Sequence, residues 1–368
     1  MRMERRYERL RPADMRALIA ETPIAWHPIG TLEWQGEHLP LGVDAFEAHG
    51  ICLRAAELAG GVVLPPTYLA SGVLALDYSL SFDLDLVCRA VSATVEQLAD
   101  VGFRVVVVLT GHGPLDLNHG LKRIARELEA RRDGLSVYGL CWLELNAARM
   151  TEPQRGEPEV VDHAALVETS YMLALEPELV ALEQLPDDPT ARPLGVYGRN
   201  PRFTASREWG ERSLDAAVAL LAERAAGLLR GEGFDVYEDL RRFVDYCWPE
   251  ALELTGHAGA PGSAALLLTN PGGASRFITS LAVEIDGATV PPDGIVLANE
   301  NVGEGRRIAA SALSPESGFY IRREQTALAQ LPLEVRPGAR RVYIRIGLGG
   351  VREAVIDAVV RFDHERAA

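Results

Sequence analysis

Paired cysteines are missing from this chain. Its four cysteines, Cys52, Cys88, Cys141 and Cys247, stand far apart, with no CxxC among them. That spacing favours reduced, buried thiols in a cytoplasmic protein over a disulfide framework. Basic charge is also short: Lys and Arg number 37 against 52 Asp and Glu, a formal net charge of -15. Nucleic acids and anionic membranes both need a basic face, so neither is expected as a partner. No apolar run reaches the roughly 18 residues of a membrane-spanning helix. The opening MRMERRYERLRP lacks the apolar stretch of a secretion signal, which again gives a cytoplasmic expectation. Internal repeats and low-complexity tracts are missing too. With 48% hydrophobic residues over 368 positions, disorder is excluded and two domains are within reach.

What the chain does have is a dense polar loop. Pro28 to Asp44, PIGTLEWQGEHLPLGVD, crowds Glu33, Glu37, His38 and Asp44 among Gly30, Gly36, Pro40 and Gly42. Glycine and proline at that density break helix and strand alike. The loop follows a short apolar run, Ile24 to Ile29, that reads as a buried strand. Carboxylates and imidazoles at the carboxyl end of a strand are where α/β proteins keep their chemistry. Such oxygen and nitrogen donors suit Zn, Mn or Fe. A solvated acidic loop is the alternative.

Around that loop the pattern alternates. A helical lead-in runs over residues 1–22, and Asp44 to Leu58 has helical spacing. Val62-Val63-Leu64 before Pro65-Pro66 predicts a second strand, and Leu84 to Val101 an amphipathic helix ending at Gly102. Arg104 to Thr110 is apolar and β-branched, as a central parallel strand should be. It runs straight into Gly111-His112-Gly113. A helix from about Asn118 to Arg132 and a strand from Leu135 to Leu143 follow. Strand and helix in alternation predict a doubly wound, mostly parallel sheet flanked by helices, occupying residues 1–250. His112 then sits at the end of a central strand, either as a satisfied loop histidine or, as its position favours, as a ligand. Glu152 to Pro158 reads as a surface loop, and Val167 to Leu173 as a helix with Glu168 in its first turn. An acid there faces the helix dipole, which is a structural reason in itself. A proline-bearing loop from Leu185 to Thr204 precedes a helix from Glu208 to Leu229.

Composition changes after Trp248-Pro249. Residues 256–276 read as a linker or irregular lead-in rich in Gly, Ala, Pro and Ser. Short apolar alternations then predict an accessory antiparallel β-domain, sandwich-like, over residues 256–368. Asp286-Gly287 and Pro337-Gly338 are hairpin-type turns, and Arg322-Arg323 and Arg340-Arg341 read as solvated charge.

Three of these segments, in order, resemble the creatininase (creatinine amidohydrolase) family. GTLEWQGEHLPLGVD is similar to its first motif at Gly30, Glu33, Gly36, His38, Leu39, Pro40, Leu41 and Asp44. VVVLTGHGPLDLN matches the second at Gly111, His112 and Gly113, and the third is matched at His163, Ala164, Glu168, Thr169 and Ser170. The stretch 195–210 is also similar to a family segment, so the resemblance spans residues 20 to about 230. It implies a hydrolase of small cyclic or linear amides, commonly a hexamer, with two divalent metals bridged by an Asp and a small-molecule substrate; for this chain the expectation is one or two divalent metals, Zn, Mn or Fe. It further implies Glu33, Asp44 and His112 as ligands, Asp44 as a bridge, and Glu168 as a further ligand. His163, Glu168 and Glu37 become candidates for proton transfer or substrate orientation, and Gln35 and His38 possible site residues.

The departures from the family pattern open other readings. Gln35 stands where the family has a ligand histidine, and a carboxamide is a poor ligand. Pro114 and Leu115 replace a Gly and an Asn, while Glu37, Asp116 and Glu144 could compensate. A non-catalytic scaffold or binding protein, or a single-metal enzyme of altered reaction type, are the alternatives to a metal-dependent amidohydrolase.

Overall fold

Val105 to Thr110 forms a strand buried on both faces, β4, as its β-branched run predicts. In a computed structural model it lies beside β1 (Ile24–Gly30), itself buried throughout. The structure describes residues 3–73, 76–148, 163–236, 238–240, 253–258, 264–269, 276–299, 307–314, 317–321, 326–333, 335, 338–348 and 352–364. The predicted loop at Glu152–Pro158, Val161-Asp162, Trp248-Pro249, Arg322-Arg323 and Pro337 lie outside the described residues. The chain divides into two compact units, Met1–Phe243 and Val244–Ala368.

In the first unit, β2 (Val62–Val63) and β5 (Ser136–Cys141) complete the sheet in the order β2-β1-β4-β5, with every pairing parallel. β3 (Thr67–Tyr68) pairs with the last residues of β1. Pro65 and Pro66 separate it from β2, because proline offers no N–H to a ladder. On one face, apolar residues of α1 (Pro12–Glu21), α3 (Leu84–Asp100) and α4 (Leu115–Glu129) form a core with Ala25, Ile29, Val106, Val108 and Val137. Against β1 and β4 from the other side packs α2 (Val43–Ala59), with α6 (Leu166–Leu175) and α8 (Arg207–Leu229) beside it. This is the predicted doubly wound α/β arrangement. From β1 the chain goes one way to β2, then crosses to β4 and β5 on the other side. The carboxyl ends of β1 and β4 therefore flank the switch point, the crevice where such sheets bind ligands.

Three local expectations are corrected. α4 starts at Leu115, ahead of Asn118. The strand expected to reach Leu143 stops at Cys141, and Trp142–Ala148 is a helix, α5. An apolar run such as Leu140 to Leu143 fits strand and buried helix equally. Glu144 decides it, accepting a hydrogen bond from Cys141 N at 2.9 Å and closing the first turn. The loop from Leu185 contains the short helix α7 (Pro201–Thr204), capped by the Asn200 side chain.

The C-terminal unit is antiparallel β-structure. Its strands are β6 (Glu253–Ala258), β7 (Ala264–Thr269), β8 (Arg276–Ile285), β9 (Ala288–Val290) and β10 (Val296–Asn299). β11 (Arg307–Ala309), β12 (Phe319–Ile321), β13 (Thr326–Leu331), β14 (Gly338–Leu348) and β15 (Arg352–His364) follow. One hydrogen-bonded path runs β11-β10-β13-β7-β6-β15-β14-β8-β12, with β9 on β8 and a parallel junction at β6/β15. Leu266, Leu297, Ala329, Val283, Ile344 and Phe362, drawn from strands all along that path, share one core. The linker expected over 256–276 is corrected, since β7 and parts of β6 and β8 lie inside it. Gly, Ala and Ser weaken a strand without forbidding it when both edges find partners.

Asp286 and Gly287 join β8 to β9 with φ 49° and 82°, both left-handed, as a two-residue hairpin turn requires. A Cβ on Gly287 would meet nothing within 4 Å. Gly287→Ala is therefore expected to cost only the left-handed conformation, about 1 kcal/mol, read as a lower urea midpoint.

Candidate metal centre

Glu33, Asp44 and His112 reach one point from three elements. Glu33 lies on the loop leaving β1, which closes on itself through Glu33 N donating to Leu41 O at 2.9 Å. Asp44 is in the first turn of α2, where the helix dipole favours a carboxylate. His112 follows β4 and is fixed by its N–H donating to Thr110 Oγ1 at 3.0 Å. Ligand atoms of the three side chains lie within 4.8 Å of one another. His112 Nδ1 is 3.1 Å from Glu33 Oε2 and 3.0 Å from Asp44 Oδ2. Their exposures are 2%, 2% and 6%, so the cluster is closed to bulk water.

Two glycines make this convergence possible through space, rather than by turning the chain tightly. A Cβ on Gly111 would lie 1.8 Å from the Asp44 carbonyl oxygen, and one on Gly30 would lie 2.4 Å from Ala45 N. The first turn of α2 thus rests directly on the ends of β4 and β1. That contact sets the Asp44 carboxylate beside His112.

Burial disfavours a charged His112, but the carboxylates of Glu33 and Asp44 outweigh it and raise its pKa well above the usual value. Two buried carboxylates facing one imidazole are an anionic cluster with an O,O,N donor set. Acids are almost never fully buried unless paired, and this set fits a divalent cation such as Zn or Mn. Gln35 touches the cluster from behind. Its Nε2 donates to Asp44 Oδ1 at 3.0 Å, and the side chain is 1% exposed.

The other sequence candidates fall outside this group. Glu37 is exposed; Gly36, with φ 71°, turns the chain so that Gln35 faces in and Glu37 out. His38 is buried with Nε2 2.9 Å from Thr169 Oγ1, and burial lowers its pKa to about 4. Glu168 accepts from Ala164 N at 2.5 Å, capping the start of α6 and the left-handed Ala164 (φ 54°). It stands apart from the cluster as a ligand. Glu144 is bound to Lys122, with Nζ 2.8 Å from Oε2, so it compensates for nothing at the cluster. The Asp116 side chain lies outside the described residues.

His163 is placed differently. Its Nε2 lies 2.8 Å from the carbonyl oxygen of Trp34, the residue between Glu33 and Gln35. A carbonyl only accepts, so Nε2 carries the proton and Nδ1 is the basic nitrogen. Nδ1 is 3.9 Å from Glu168 Oε2. Tyr197, which the sequence did not single out, pairs with His163 through the backbone and sets its ring 5.9 Å from the imidazole. The only signal was its place in the 195–210 segment.

A parallel sheet with a buried acid–acid–imidazole cluster at its switch point defines an α/β protein with a candidate metal centre. The sequence profile of the creatininase family, described as creatinine amidohydrolase, matches residues 8–225, and the chain belongs to that family. A creatinine amidohydrolase of Pseudomonas putida is 29% identical, covering 53% of this chain and 86% of its own. A mutant creatininase complexed with creatine has a TM-score of 0.52 at 26% identity, covering 61% of this chain and 99% of its own. A mutant creatininase of Zn-Zn type has a TM-score of 0.50 at 26% identity, covering 60% and 96%. Among the described residues no helix is long and apolar enough to cross a membrane.

Proposed function

We propose that the chain is a metal-dependent amidohydrolase that cleaves a C–N bond in a small cyclic or linear amide. The observation that carries this reading is the burial of Glu33, Asp44 and His112 around one point at the sheet's switch point. Family membership supports the reaction class. A divalent cation held by these three residues supplies Lewis-acid polarisation of the scissile carbonyl and acidifies water. The rest is the chain's own work. Gln35 holds the Asp44 carboxylate in place through its amide N–H. The Trp34 carbonyl fixes the His163 tautomer, so that Nδ1 takes a proton and returns it to the leaving nitrogen. Glu168 Oε2 lies 3.9 Å from that nitrogen.

The test is turnover of a panel of cyclic amides and formamides before and after chelation. Activity should vanish with the metal and return on adding Zn or Mn. Hydrolysis that survives a demonstrably metal-free preparation sinks the proposal. His163→Ala is expected to keep its metal and lower kcat by about 10²-fold. Elemental analysis and steady-state kinetics on the same preparation check both halves.

A further inference from the structure

Building on the metal-centre reading above, we infer that the chain holds a single divalent cation, and that the Gln35 carboxamide excludes a second. The inference starts at Asp44. A carboxylate that bridges two cations gives one oxygen to each. Here Oδ2 faces His112 Nδ1 at 3.0 Å, while Oδ1 accepts from Gln35 Nε2 at 3.0 Å. Donor and acceptor are both buried, so water does not compete for either. The amide cannot be turned over. Its oxygen would then meet Asp44 Oδ1 with no proton between them. Gln35 Oε1 makes no hydrogen bond to any described residue, so the Asp44 contact alone orients the amide. The N–H takes one lone pair of Oδ1, the one on the side facing Gln35, so a cation between Gln35 and Asp44 finds that position already filled.

The supply of ligands agrees. Among the described residues, Glu33, Asp44 and His112 form the one group of His, Cys, Asp or Glu side chains with ligand atoms that close together. Gly113 and Pro114, next after His112, bring no donor side chain. Glu37 faces solvent, His38 is bound to Thr169, and Glu168 caps α6. Charge points the same way. One divalent ion neutralises two buried carboxylates, whereas a second leaves a buried positive excess, which is costly to desolvate.

The experiment uses the chain stripped of metal and dialysed against excess Mn²⁺, with the dialysate as the blank. Elemental analysis counts the bound ions, and electron paramagnetic resonance distinguishes an isolated Mn²⁺ from a spin-coupled pair. The wild type should bind one ion per chain with the isolated signal. Gln35→Glu, nearly isosteric, turns the donor into an anionic acceptor against Asp44 Oδ1. With only two carboxylates as its ligands a second ion is held weakly, so in equilibrium with excess Mn²⁺ the variant should reach two ions per chain, twice the wild type under the same conditions, with a coupled signal. Two ions in the wild type overturn the inference and leave the metal-centre reading standing. No ion in the wild type overturns the metal-centre reading itself. A variant that stays at one ion with unchanged affinity removes Gln35 as the excluding group.

Discussion

His112→Ala is expected to abolish stoichiometric metal binding and to destabilise the metal-free chain by about 3–5 kcal/mol, the usual cost of stranding a buried charge. The two losses have separate causes. Removing the imidazole takes away the nitrogen donor and leaves two carboxylate ligands, too few for a tightly held ion. In the metal-free chain the same imidazole, protonated, lies 3.1 Å from Glu33 and 3.0 Å from Asp44. Without it, two carboxylates face each other in a region closed to solvent. Protonating one of them recovers part of the loss. The double variant Glu33→Gln/His112→Ala should therefore be more stable than His112→Ala alone, although it removes more native contacts. Urea unfolding of chelated protein gives both stabilities. If His112→Ala unfolds at the wild-type midpoint, the cluster is not electrostatically coupled, and the argument for a shared cation weakens with it.

The parts of this architecture that sequence could reveal were those set by local chemistry. The Val105–Thr110 run had to be a doubly buried strand, because nothing in it could face water. The glycines and prolines around Glu33 and His112 had to be loops, and alternation put both loops at strand ends. Convergence of Glu33, Asp44 and His112 was readable only through the family resemblance, since no local rule brings together residues so far apart in sequence. What stayed hidden depended on a neighbour that sequence does not show. Gln35 and Glu37 are two positions apart in one polar loop, and only the left-handed turn at Gly36 decides which faces the site. Glu168 looks like a ligand by motif, and nothing in the sequence shows that its Oε2 accepts from Ala164 N. The helix at Trp142–Ala148 required knowing that Glu144 would close on Cys141 N.

Gly111→Ala is expected to cost about 3 kcal/mol or more and to lose the metal as well, at or beyond the upper end for overpacking. The added methyl carbon would sit 1.8 Å from the Asp44 carbonyl oxygen, well inside van der Waals contact. The obstacle is backbone, so no side-chain rotation relieves it. Either the first turn of α2 lifts from the end of β4, or the loop after β4 moves. Both displace Asp44 from His112, so stability and metal affinity should fall together. Gly113→Ala is the control. Its methyl would meet Leu143 Cδ1 at 2.9 Å, the far end of a flexible side chain, and Leu143 can give way. If the glycines around His112 served only to let the chain turn, the two variants would behave alike. If their role is the close approach of α2, Gly111→Ala should unfold at a far lower urea concentration and come off a metal column empty, while Gly113→Ala stays near wild type on both measures.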